Sequence, residues 1–484
     1  MSISRLLRTI VLVFCTLIPC YHQASAYSLL THEELIDLTW KDSIVPLLLS
    51  RYPTLTPEQL EHARAYAYGG CVIQDIGYYP YGDRTFSDLT HYVRSGDFVV
   101  NLFRNAGNAD ELAFAVGALS HYIGDSVGHS LATNLAVPIE FPKLAAKFGS
   151  SVSYADGKRQ HVQTEFAFDI NEVVHHRVAP VQYLRHIGLE VPQRQLALAY
   201  YQTYGLTEDF THTRGRRVNV KGYRFAVYSF IPRIAYALAI LHRHDEPAEP
   251  NTPEARELAN ESLRVASENK WSAYQRKNGV GTYALAGLIF VLPKVGPLKL
   301  VAIKGPNEAT EADYLHSVSV STATLRKMLA RFTPPPATGP GAAKAAASDT
   351  HSDPPPSRPL MAKADSSQVI PRQSRDARHP LPNRDLDTGF IVKPGRYALT
   401  DATYANLLHQ LTHQPDQAIP PAIKEDLRAF YANPNRPIVT KKDREQWEMV
   451  QADLVKLDKM STSTEPMPYP TYGEDIEEAQ QNGQ

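Results

Sequence analysis

The chain has 484 residues and a net charge of −1, with 21 % charged and 43 % apolar side chains. That balance excludes a disordered polyelectrolyte and provides no global field aimed at nucleic acid or an anionic surface. The length is ample for a large core and for more than one structural unit.

The chain opens as an export signal. Arg5 and Arg8 form a positive start, Thr9 to Pro19 is apolar, and Ala24-Ser25-Ala26 is a small-residue cleavage site. Residues 1–26 are thus expected to be a signal peptide, leaving Tyr27 as the mature N-terminus and placing the protein in the periplasm or outside the cell. Cys20 follows Pro19 rather than the small residue a lipobox needs, so lipidation is not expected. Cys15 and Cys20 leave with the signal, and Cys71 alone cannot form an internal disulfide. After the signal no stretch is expected to span a bilayer; the best candidate, Val280 to Leu292, is short and stops at Pro293 and Lys294.

From Tyr27 to residue 332, apolar residues recur at helical spacing and strand-like alternation is scarce. The stripe Leu112, Ala115, Val116, Leu119 and Ile123 is one such helix, with Asn108 and Glu111 resembling a capping box at its start. This part is expected to be one all-α domain. Residues 333–384 contain two triple-proline runs and an Ala-rich run with few large apolar groups, a composition expected of a disordered linker. Residues 385–460 suggest a small helical C-terminal region, through Tyr404, Leu407, Leu408 and Leu411 and then Leu427, Phe430 and Tyr431. Residues 461–484 form an acidic, Gln-rich tail that is expected to be disordered. No internal repeat is evident.

The strongest chemical signal is His121-x-x-x-Asp125-x-x-x-His129. On a helix these positions fall about 40° apart, so the three side chains share a face. Their neighbours are apolar or small, which implies a buried face, and buried ionisable groups are costly unless paired or metal-bound. A hydrogen-bonded polar cluster is the alternative to a metal site. His161 and Glu165 form a second i, i+4 pair, and Asp75 and His91 flank a loop containing Tyr78, Tyr79, Tyr81 and Phe86. Taken singly, His161 and Glu165 read sooner as a surface pair, and Asp75 and His91 sooner as turn or cap residues, than as metal ligands.

Taken in order, Tyr27, His32, Asp75, His91, His121, Asp125, His129, His161 and Glu165 make the chain resemble the zinc-dependent phospholipase C family. Related to that family are the single-strand-specific zinc nucleases. The His-x-x-x-Asp-x-x-x-His-Ser form also looks like the catalytic domain of glycosylphosphatidylinositol-specific phospholipase D. The resemblance covers residues 27 to about 331. It implies a multi-helix catalytic domain that holds two to three zinc ions. Asp75, His91, His121 and Asp125 would hold one, and His129, His161 and Glu165 a second. The amine and carbonyl of Tyr27, with His32 and a bridging Asp125, would hold the third. Two departures stand out: the family's N-terminal residue is usually Trp, and the spacing to His129 is shorter than in the bacterial phospholipases. The resemblance also makes Asp75 the candidate catalytic base.

Imidazole and carboxylate are ordinary zinc ligands, and zinc with an open position activates water and polarises phosphoryl oxygens. A phospholipid or membrane-surface substrate is expected, with no stable nucleic-acid partner, because no basic strip runs along the chain. A nuclease or other phosphodiesterase is the alternative. His161-x-x-x-Glu165 matches the phospholipase form, whereas nucleases more often end in Asp. Arg214, Arg216, Arg217 and Lys221 are the one basic cluster, read as a solvated loop or a phosphate contact. Tyr78, Tyr79 and Tyr81 are candidates for a cationic head-group box, for base stacking, or for core packing. The apolar stretch Tyr283 to Val301 is read as core, with lipid-surface insertion as the alternative.

Overall fold

The computed structural model describes residues 28–79, 82–208, 210, 220–242, 250–275, 279–294, 301–303, 305–333, 379–414, 418–432 and 441–463. The expected signal peptide, Tyr27, Tyr81, Arg214, Arg216, Arg217, most of the expected linker and residues 464–484 of the acidic tail lie outside them, as does the side chain of Lys221. Among the described residues there is no β-strand, only isolated bridges between Arg384 and Ile391 and between Ile419 and Thr462. The protein is all-α.

The helices of the first part are α1 (Leu29–Thr39), α2 (Val45–Arg51), α3 (Pro57–Cys71), α4 (Arg84–Tyr92), α5 (Ser95–Arg104) and α6 (Ala109–Gly128). Then come α7 (Asn134–Glu140), α8 (Pro142–Phe148), α9 (Tyr154–Val174), α10 (Val181–Ile187), α11 (Gln193–Tyr204), α12 (Val220–Phe225), α13 (Ile231–His242), α14 (Pro253–Glu268), α15 (Val280–Val291) and α16 (Glu308–Ala330). The C-terminal part adds α17 (Ala398–Thr412), α18 (Pro421–Phe430) and α19 (Lys441–Lys459).

Helix α6 is the central rod, with every residue from Ala113 to Gly128 buried. It begins where the sequence places it: the Asn108 side chain accepts the Glu111 N–H at 2.9 Å. The reciprocal bond is displaced by one residue, because Glu111 Oε2 accepts from the Gly107 N–H rather than from Asn108. Helix α3 starts with a full capping box between Thr56 and Gln59 and with Pro57 in the first turn.

Helices α3 and α6 approach closely through glycines. A Cβ on Gly117 would lie 2.2 Å from the Ala67 carbonyl oxygen, and one on Gly70 would lie 2.1 Å from that of Phe114. Only hydrogen at these positions permits such a backbone approach. The closeness brings the carbonyl of Cys71, at the end of α3, within hydrogen-bond reach of His121 on α6.

Helix α1 is fixed at its N-terminus by Asp169 of α9. That carboxylate accepts the Leu30 N–H at 2.9 Å, the Thr31 N–H at 3.1 Å and the Thr31 hydroxyl at 2.8 Å. The anion caps the orphan donors of α1, and it sets His32 on α1 against α9, where Glu165 lies one turn before Asp169. Glu172 and Glu311 both pair with the buried Arg177, which fastens the end of α9 to α16.

The apolar segment near residue 290 departs from the expected burial. Ala286 and Ile289 of α15 are buried, but Val280, Tyr283, Phe290 and Val291 are 87, 54, 75 and 72 % exposed. The continuous helical stretch Gly222–His242, made of α12, a π turn over Ala226–Phe230 and α13, has the length and hydropathy of a membrane span, contrary to the expectation from the sequence. Its contacts are those of a core helix: Tyr223 donates to the Gly69 carbonyl at 2.9 Å, and Tyr223, Ala226, Ala235 and Leu238 are buried in the common core.

The C-terminal part packs on the first part. Tyr122 donates to the Pro382 carbonyl at 2.6 Å, Ser95 to the Arg384 carbonyl at 2.6 Å, and Tyr201 to the Ala418 carbonyl at 3.0 Å. Residues 379–384, which the composition places in the linker, are therefore a strap lying across α5 and α6, and Leu381 and Leu386 belong to the main core.

Candidate metal centre

His32 of α1, His91 of α4, and His121 and Asp125 of α6 meet Asp75, which sits in the 3₁₀ turn Ile73–Gly77 after α3. Asp125 Oδ1 is 3.2 Å from His32 Nε2, and its Oδ2 is 3.2 Å from both His91 Nε2 and His121 Nε2. Asp75 Oδ1 lies 3.3 Å from His91 Nε2 and 4.0 Å from His121 Nε2. A second cluster joins His129 and His161, whose Nε2 atoms are 3.3 and 2.8 Å from Glu165 Oε1. All eight side chains are at most 2 % exposed. Within each of three triads the ligand-type atoms lie within 4.8 Å of one another: His32, His121 and Asp125; Asp75, His91 and His121; and His129, His161 and Glu165.

Local structure explains the two clusters. His121 and Asp125 share one face of α6 by their four-residue spacing. His129 opens a π-helical turn over His129–Thr133, which widens the helix just after the first cluster. Such turns recur at functional sites because they redirect a side chain within an otherwise regular helix.

The outer hydrogen bonds set the tautomers. His91 Nδ1–H donates to the Ser87 carbonyl at 2.8 Å, His121 Nδ1–H to the Cys71 carbonyl at 2.9 Å, and His129 Nδ1–H to the Leu386 carbonyl at 2.6 Å. A carbonyl oxygen can only accept, so each Nδ1 carries a proton, and in the neutral ring each Nε2 presents a lone pair to the cluster. His161 Nε2 and Glu165 Oε1 lie 2.8 Å apart without hydrogen-bond geometry between them. Converging, buried lone pairs of nitrogen and carboxylate oxygen are the donor set that zinc takes, so the residues fit the ion.

At His91 burial favours the neutral ring, but the hydrogen bonds and charges of Asp125 and Asp75 outweigh it and raise the imidazole well above its ordinary value. Asp125, His32 and His161 favour their ligating forms. Burial opposes the Asp125 charge, but His121, His32 and His91 outweigh it and hold the carboxyl well below the usual range. Burial, then His121, lowers His32, and burial, then His129, pushes His161 well down, so both favour the neutral, ligating form. Burial and the nearby Asp125 and Asp75 raise Glu165 well above its ordinary value. A carboxylate in that state gains most from a bound cation.

The aromatic box anticipated from the sequence is not built from Tyr78 and Tyr79 as a pair. Tyr78 packs with Tyr154 and Val162, its ring 5.3 Å from that of His91, while Tyr79 belongs to the main core and stacks on Tyr223 at 6.0 Å. Both are buried, so core packing accounts for them. The sequence reading missed Ser87, Cys71 and Leu386, which act through main-chain carbonyls that carry no side-chain signature.

No curated protein and no solved structure matches the chain. Residues 31–209 match the model of the family described as zinc dependent phospholipase C, a span that contains every member of both clusters. Over that segment the chain is similar to the zinc-dependent phospholipase C family.

Proposed function

We propose that the protein is an exported phospholipase C that hydrolyses phospholipids to diacylglycerol and a phosphorylated head group. The observation that carries this reading is the pair of buried clusters with Nε2 atoms facing carboxylates inside the family-matching segment. His129, His161 and Glu165 would hold one zinc, Asp75, His91, His121 and Asp125 another, and His32 with Asp125 a third, joined by the amine and carbonyl of Tyr27. Zinc held there supplies Lewis-acid polarisation of a phosphoryl oxygen and makes water acidic enough to attack near neutral pH.

The chain's own contribution is orientation and proton handling. Asp75 is the residue we assign to receive the proton of the attacking water, because its carboxylate lies beside the His91 and His121 imidazoles. Asp125, shared among three imidazoles, keeps the clusters in register. The surrounding helices exclude bulk water, so charge developing on the phosphoryl group is felt strongly.

A lipid rather than a polynucleotide is favoured by the exposed apolar face of α15, which carries no charged side chain between Val280 and Val291. Such a face suits a lipid surface and offers nothing to a polyanion. Purified mature protein incubated side by side with phosphatidylcholine vesicles and single-stranded DNA tests the reading. Release of diacylglycerol with intact DNA is expected; cleavage of DNA with intact lipid would overturn it in favour of a nuclease.

A further inference from the structure

Leu386 and Asp387 lie far beyond the family-matching segment, yet they touch the metal centre from behind. The Leu386 N–H donates to the main-chain carbonyl of His91 at 3.1 Å, and the Leu386 carbonyl accepts the Nδ1–H of His129 at 2.6 Å. One residue thus ties a ligand candidate of the first cluster to one of the second. Thr388 adds a third tie, its carbonyl accepting the hydroxyl of Ser130, the residue after His129, at 2.7 Å.

Asp387 is the anchor of this strap. It is fully buried, and its Oδ2 accepts the hydroxyls of Tyr92, at 2.9 Å, and of Tyr397. Its main-chain carbonyl accepts the Asn134 side-chain amide at 2.8 Å. Tyr92 directly follows His91, and Asn134 follows the π turn that His129 opens. The carboxylate therefore grips the chain next to His91, and the main-chain carbonyl of the same residue holds Asn134 at the end of the π turn that His129 opens. Its Oδ1 accepts no hydrogen bond among the described residues. An ionisable group buried at that expense has some use beyond packing.

We propose that the segment from Pro382 to Thr388 is a built part of the metal centre, in which Leu386 and Asp387 are positioning residues for His129 and His91. The carbonyl of Leu386 fixes the His129 tautomer and ring direction, and the Asp387 clamp holds Leu386 where it can do so. Partners of this kind set the affinity and geometry of a site without touching the metal. The proposal rests on the reading of both clusters as zinc-holding. It makes the C-terminal part of the chain a component of the catalytic unit.

The test uses full-length mature protein, loaded with cobalt(II) in place of zinc, and reads the visible absorption spectrum and the metal affinity by chelator competition. Asp387→Ala is expected to weaken metal binding about 10- to 100-fold and to alter the cobalt spectrum, with helical circular dichroism unchanged. Asp387→Asn keeps an oxygen that can accept the two phenols, and it should recover most of the affinity. Unchanged affinity and spectrum in Asp387→Ala, or an equal loss in Asp387→Asn, would overturn the proposal. Should Asp387→Ala fail to fold, Tyr397→Phe decides the same way, since it removes one clamp and leaves the carboxylate. An altered spectrum in that variant supports the strap, and an unaltered one overturns it. If the unsubstituted protein takes up neither cobalt nor zinc, the reading of the clusters fails instead.

Discussion

Asp125 presents one oxygen to His32 and the other to His91 and His121, so a single carboxylate faces three imidazoles at 3.2 Å. Removing it leaves three buried histidines without their common counter-charge, whereas removing His161 leaves Glu165 still beside His129 at 3.3 Å. Asp125→Ala is therefore expected to lose more bound metal than His161→Ala, and to lower turnover by more than roughly 100-fold, beyond what loss of an outer-shell partner costs. Metal analysis of the two purified variants checks this order. A larger metal deficit in His161→Ala would remove Asp125 from its bridging position. At this scale the sequence was readable where chemistry resides in side chains at helical spacing, as in His121 and Asp125 or His161 and Glu165. It was unreadable where a main-chain carbonyl does the work, because every residue has one. The Leu386 carbonyl meets His129 across a separation of 257 residues, which no local pattern encodes.

Among the elements, α3 and α6 carry the tightest constraint. Gly117→Ala would place a Cβ 2.2 Å from the Ala67 carbonyl oxygen, in backbone that cannot rotate away. The two helices must separate, and a loss of stability of about 1–3 kcal/mol or more is expected from forced overpacking. Denaturant unfolding of the metal-free protein measures it, and a neutral effect would show that the interface is loose. Nothing in the sequence distinguished Gly117 from the other glycines, since its importance comes from a partner helix. Helix α15 teaches the opposite lesson. Its composition reads as core, yet Tyr283, Phe290 and Val291 face outward, because composition reports hydrophobicity but not the presence of a partner surface. Replacing these three by serine should lower hydrolysis of phosphatidylcholine vesicles about tenfold or more, given the apolar area withdrawn from the lipid. Hydrolysis of a short-chain monomeric phosphodiester should be preserved. Equal losses on both substrates would take α15 out of lipid contact.

For the molecule as a whole, the all-α class and the helical character of both ends were legible from period and composition. The way the ends join was not. The C-terminal part reads in sequence as an appended block, but its strap lies against α4, α5 and α6 and its Leu386 enters the main core. Apolar periodicity announces that a helix needs a partner without naming which one. Tyr27 lies outside the described residues, and its place in a third site is part of the proposal drawn from the resemblance. The two clusters and the strap both serve the proposed function, hydrolysis of phosphoesters with zinc held by buried histidines and carboxylates. The most direct test is to measure zinc content and phosphatidylcholine hydrolysis together, on the purified mature protein before and after stripping with a chelator, and again after zinc is restored. Two to three zinc ions per chain, loss of hydrolysis on stripping and recovery with zinc are expected; full hydrolysis by the metal-free protein would contradict zinc-dependent chemistry.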